Sequence, residues 1–118
     1  MSKTLTLFFL HHPDDLKNNY VHPNNALRTG QNSEIIGQLI PIGGNKPTLR
    51  TQAIPAGTWV DINDNDTRED EYGDELKFIY AQELKKLKLP EDASYLIRAI
   101  KAFVDALPNE APIIIYWS

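Results

Sequence analysis

Six residues near the N-terminus, LTLFFL at positions 5–10, restrict the fold more than any other stretch. A strand turns successive side chains to opposite faces. Lys3, Leu5, Leu7 and Phe9 would point one way, and Thr4, Thr6, Phe8 and Leu10 the other. Beyond the first residues both faces are apolar. A strand of that kind needs cover on both sides, so residues 3–11 are expected in the interior of a sheet. A second continuous apolar run, APIIIYW at 111–117, predicts a C-terminal strand.

Between these runs the pattern is mixed. Residues 12–33 contain NNYVHPNNALRTGQNS, rich in turn formers, and read as irregular. Residues 34–42, EIIGQLIPI, are apolar and β-branched and predict a strand, followed by a turn at Gly43-Gly44-Asn45. Residues 48–54 and 58–62 predict two strands joined as a hairpin around Pro55-Ala56-Gly57. ELKFIY at 75–80 predicts a strand with Leu76, Phe78 and Tyr80 on one face. Residues 81–88 predict a helix that Pro90 stops. The clearest helical period comes next, in EDASYLIRAIKAFVDALP, where Leu96, Ile97, Ile100, Phe103, Val104 and Leu107 recur at core spacing. Glu91 and Asp92 suit its N-terminal end, and Pro108 terminates it. The expected architecture is α+β: a mostly antiparallel sheet, two C-terminal helices packed on one face, and a C-terminal strand.

The 118 residues suit a single domain over 1–118, and a 42% hydrophobic share suffices for one core. There are no cysteines, so disulfides, thiolate zinc sites and a cysteine nucleophile are excluded. The short apolar run at the N-terminus lacks the length and cleavage site of a signal peptide, and no run approaches a membrane span. A cytoplasmic protein with no membrane partner is expected. The net charge of −4 argues against bulk attraction to nucleic acid.

The charge is unevenly placed. Eight of the 16 acidic residues lie in residues 61–75, with Arg68 as the one base, so this segment carries −7 and the remainder +3. DINDNDTREDEYGDE invites comparison with the EF-hand loop. Counted from Asp61, the sixth residue is Asp66 where Gly is needed and the twelfth is Tyr72. Counted from Asp64, the twelfth is Glu75, but the fifth and sixth are Arg68 and Glu69. Neither register closes around calcium. A solvated charged loop would explain the run. So would a docking surface for a cationic macromolecule, which relieves the self-repulsion of the cluster and is steered by its field. The candidate partner-binding residues are Asp61, Asp64, Asp66, Glu69, Asp70, Glu71, Tyr72, Asp74 and Glu75. Trp59 and Phe78 flank them.

HHPDD at 11–15 carries the competing chemistry. His12-Pro13-Asp14-Asp15 after an apolar strand resembles the start of the zinc-dependent N-acetylglucosaminyl deacetylases. That resemblance implies His12, Asp14 and Asp15 as metal ligands and base of a small hydrolase. The family continues with Glu, where this chain has Leu16, and needs a histidine beyond His22, the last one here. Adjacent His11 and His12 would also point to opposite faces of a strand. The plainer expectation is a capped turn at a strand end, with no metal and no cofactor. No phosphate loop, G-x-S-x-G or spaced Ser-His-Asp set is present, so no enzymatic role is expected. Lys85, Lys86 and Lys88 read as solvated helix surface.

YGDELKFIYAQELKKL, a helix, and then ALPNEAPIIIYW resemble, over residues 72–117, the small immunity proteins of bacterial toxin systems, including contact-dependent growth inhibition. The resemblance implies a compact α+β protein that binds and neutralises one cognate toxin domain. With the acidic segment, the expected partner is a basic nuclease whose phosphate-binding surface the carboxylates would occupy. A phage-type inhibitor that mimics DNA would use the same surface.

Overall fold

The computed structural model describes residues 3–10, 12–23 and 25–118. Among these are eight strands: β1 (Leu5–Phe9), β2 (Tyr20–Val21), β3 (Asn25–Gly30), β4 (Gln52–Ala53), β5 (Trp59–Ile62), β6 (Asn65–Thr67), β7 (Lys77–Tyr80) and β8 (Pro112–Trp117). The helices are α1 (Ser33–Ile36), α2 (Ala81–Leu84) and α3 (Tyr95–Asp105), with one 3-10 turn at Asp15–Lys17. The fold is α+β. Five strands form an antiparallel sheet in the order β3-β1-β8-β7-β4, and three form a smaller sheet in the order β2-β5-β6.

The two apolar runs account for this layering. β1 and β8 lie side by side near the middle of the large sheet, with Leu7 opposite Ile115 and Phe8 opposite Ile114. One face, carrying Leu5, Leu7, Phe9, Ile79, Ile113 and Ile115, is covered by Ile35, Ile36, Leu84, Ile97, Ile100 and Val104 from the three helices. The opposite face, carrying Phe78 and Ile114, is covered by Leu16, Val21, Val60 and Ile62 from the small sheet and its approach. The order is therefore helices, large sheet, small sheet. At roughly 1.5–3 kcal/mol per buried Leu, Ile or Val side chain, the doubly covered β8 is a main source of stability.

Several expectations are corrected. Residues 34–42 are not a strand. Asn32 Oδ1 accepts from the backbone N–H of Glu34 at 2.9 Å and of Ile35 at 3.3 Å, and this cap starts α1. Ile35, Ile36 and Leu39 then reach the core at helical spacing. Gln38 anchors the end of this segment, exchanging side-chain hydrogen bonds with the backbone of Lys88 at 2.7 and 2.9 Å. Residues 12–33 are not all irregular, since β2 and β3 form there by pairing with β5 and β1.

Pro55-Ala56-Gly57 does not close a hairpin. β4 pairs with β7 in the large sheet, and β5 lies in the small one. The chain crosses between layers here, from Leu49 in the helix-side core to Ile54 on the other side. Buried Thr58 secures the crossing, its Oγ1 donating to Asn18 O at 3.2 Å. The 81–88 helix is shorter than expected, and α3 begins at Tyr95, with Ser94 Oγ accepting from Ile97 N at 3.2 Å. Leu96 and Phe103, expected in the core, are exposed. Ile97, Ile100 and Val104 fill the arc that faces the sheet, and the Phe103 ring, though exposed on one side, meets the Phe9 ring edge to face at 4.7 Å. His11 lies outside the described residues.

Candidate functional site

The acidic segment divides into two lobes. The first is the β5–β6 hairpin. Asn63 and Asp64 both have positive φ, 54° and 65°, the backbone of a two-residue type I′ turn. Asn and Asp tolerate this conformation better than other residues with a Cβ. The turn sets the register: Asp61 faces Asp66 and Ile62 faces Asn65. Val60 and Ile62 point into the core. Trp59, Asp61 and Asp66 therefore share the outer face of the small sheet.

β2 completes that face. It runs parallel to β5, with Tyr20 beside Trp59 and Val21 beside Val60. Val21 turns inward, so Tyr20 and His22 turn outward. The two rings meet edge to face at 4.5 Å. His22 Nδ1 lies 3.2 Å from Asp61 Oδ2. Asp61 Oδ1 is shut off from solvent and has no hydrogen-bond partner among the described residues. The Tyr20 hydroxyl reaches across β5 and donates to Asp66 Oδ1. That hydrogen bond, then burial and the charges of Asp61, Asp66 and Asp64, push the phenol up to about 12. Trp59 remains 46% exposed.

The second lobe is the loop between β6 and β7. Asp70 is buried and builds it. Its Oδ1 accepts from Tyr72 N at 2.8 Å and Asp74 N at 3.1 Å, and its own N–H donates to Asp74 O at 2.9 Å. Glu71 N donates to Trp117 O at 3.2 Å, tying the loop to the end of β8. Lys3 Nζ sits 4.7 Å above the half-buried Tyr72 ring. Asp70, Asp74 and Glu75 border an open cleft of about 400 Å³, which Lys3 and Lys77 also line.

Arg68 joins the lobes. Its guanidinium donates to Pro55 O at 3.0 Å and to Thr58 O, and lies 3.6 Å from Glu75 Oε1. The single base of the segment is thus spent on holding the layer crossing and one carboxylate. Asp64, Asp66, Glu69, Glu71 and Asp74 form no ion pair among the described residues. The nine candidate residues accordingly fall into three groups. Asp61, Asp64 and Asp66 share the hairpin. Glu69, Glu71, Asp74 and Glu75 are exposed along the loop. Asp70 and Tyr72 face inward and shape that loop. Sequence reasoning missed Tyr20 and His22. Their only signal was the out-in-out alternation Tyr20-Val21-His22 within a polar stretch.

Residues 12–15 form a turn closed by their own side chains. His12 N donates to Asp15 Oδ2 at 2.9 Å, and Lys17 Nζ lies 3.1 Å from Asp14 Oδ1. Among the described residues no three His, Asp or Glu side chains are grouped to hold a metal ion. Lys85 donates to Leu107 O at 2.7 Å and to Asn109 Oδ1 at 2.8 Å, so it fastens α2 to the end of α3. No helix among the described residues is long and apolar enough to cross a membrane. No protein-family model, no curated protein and no solved structure matches this chain.

Proposed function

We propose that this chain is a cytoplasmic immunity protein. In this reading it binds one basic toxin domain, most simply a nuclease, and covers the surface that would otherwise take phosphates. The observation that carries the reading is the outer face of the small sheet. Asp64 and Asp66, which form no ion pair among the described residues, sit on the hairpin beside exposed Trp59 and Tyr20. Aromatic side chains are strong interface anchors, and a one-signed field speeds encounter with an oppositely charged partner. The exposed Glu69, Glu71 and Asp74 extend the charge along the adjoining loop.

Titration calorimetry against the toxin domain encoded beside this gene tests the proposal. Reversing Asp64, Asp66 and Glu69 together to Lys is expected to weaken binding by about 100-fold or more. Glu91→Lys, on the helix layer, is expected to leave it unchanged. No binding by the wild-type chain, or equal affinity after the triple reversal, would overturn the reading.

A further inference from the structure

The outer side of α3 presents a surface of a different kind. Its eleven residues carry three charges, Arg98, Lys101 and Asp105. At about 100° per residue these share one strip. The rest of the circumference is apolar, a far wider arc than Ile97, Ile100 and Val104 use to reach the core. Tyr95 is 94% exposed and Leu96 62%, while Phe103, 39% exposed, already packs part of its ring on Phe9. Ala99, Ala102 and Ala106 lie exposed between them. α3 thus keeps apolar side chains well outside the arc that reaches the core, and such a surface is commonly covered by a partner. α3 packs over β3, an edge strand of the large sheet, and Tyr95, Ala99, Ala102 and Ala106 form a stripe on the side of the helix turned away from Ile97, Ile100 and Val104.

We infer that a second copy of this chain covers the stripe, the two α3 helices packing antiparallel about a twofold axis. Two features favour this occupant. Tyr95, Ala99, Ala102 and Ala106 recur at spacings of four, three and four, the period of a seam between two helices. The alanines at its middle let two backbones approach closely. Leu96 of one copy then meets the Ala106-Leu107 end of the other.

Charge supplies the second feature. The twofold axis keeps both charged strips on one side and reverses their direction. Arg98 of each copy then faces Asp105 of the other, once at each end. Arg98 already donates from Nε to Ala93 O at 3.1 Å and from Nη2 to Glu91 O at 2.7 Å, which holds the guanidinium in place and leaves donors over. Asp105 is held by Lys101 Nζ at 2.7 Å through one oxygen only.

The association stands apart from the acidic-face reading. The helices and the small sheet lie on opposite faces of the large sheet, so both hairpins would stay open in the pair.

Sedimentation of the intact chain over a concentration series is expected to approach twice the 13.4 kDa chain mass. Leu96→Glu and Ala99→Glu are each expected to raise the dissociation constant roughly 30-fold or more, the effect of losing a central anchor, with an unchanged far-ultraviolet spectrum. The chain has no cysteine. Ala102→Cys should therefore be linked to its symmetry mate by a short bis-maleimide, whereas Thr48→Cys should not. The Ala102→Cys readout stands even where a charged variant fails to fold. A single-chain mass at every concentration would overturn the inference. So would a dimer that survives Leu96→Glu and leaves Ala102→Cys unlinked.

Discussion

Tyr20 shows how one side chain reports on a whole surface. Its hydroxyl donates to Asp66, and the charges of Asp61 and Asp64 add to the effect. All of them disfavour the phenolate, which would be a further negative charge and could no longer donate. A pKa raised in the folded state means that the native protein holds the proton more tightly than the unfolded chain. Any stability the contact adds is complete below the ordinary tyrosine value near 10 and disappears as pH rises through about 12. Spectrophotometric titration of the five tyrosines is therefore expected to show a late phenolate step that Tyr20→Phe removes. Tyr116 is also raised, by burial first and then by Glu71 and Asp70, so the variant rather than the wild-type curve assigns the step. A late step undiminished in Tyr20→Phe would mean that the Tyr20–Asp66 contact is not formed in solution. Asp70 teaches the opposite lesson. It is as acidic as its neighbours in the sequence, yet its carboxylate is committed to two backbone N–H groups of its own loop.

At the scale of elements, the β5–β6 turn keeps a cost that its sequence could avoid. Type I′ turns favour Asn-Gly, and here Asp64 occupies the glycine position at φ 65°. Asp64→Gly is expected to raise unfolding stability by about 0.5–1 kcal/mol, read from urea melts, while weakening the proposed complex. A fall in stability would show that Asp64 contributes a contact the turn geometry does not reveal. The elements that could be read from sequence are those whose apolar pattern exceeds what one face needs. β1, β7 and β8 are of this kind, and so is α3. The elements that were misread depend on partners remote in sequence. β3 is a strand because β1 lies beside it, although NALRTG has little strand propensity of its own. Residues 34–42 look like a strand by composition, but Asn32 caps a short helix at Ser33–Ile36 that runs on into turns, and the Asn32-Ser33-Glu34 start was a local signal that the β-branched run obscured. The acidic lobe was legible as charge. Its division into an outward hairpin and an inward-braced loop required the register of Asp61 with Asp66 and the burial of Asp70.

For the whole molecule, the three layers separate two surfaces of opposite character. One outer layer carries carboxylates and the other an apolar stripe, with the large sheet between them. Paired through α3, the molecule would offer two acidic faces at once, and a partner with two binding domains would gain avidity without any new contact. The facing aspartates of the hairpin bear on folding as well as docking. Like charges directly across a strand pair destabilise it. Sodium chloride should soften that repulsion within the lone protein and also weaken its attraction to a cationic one. Thermal melts in rising salt are expected to climb for the free chain, while its grip on the proposed toxin partner loosens over the same range. An ion that steadies the fold would thus release the ligand, so these proteins would hold each other best in the medium where this one, by itself, is least comfortable.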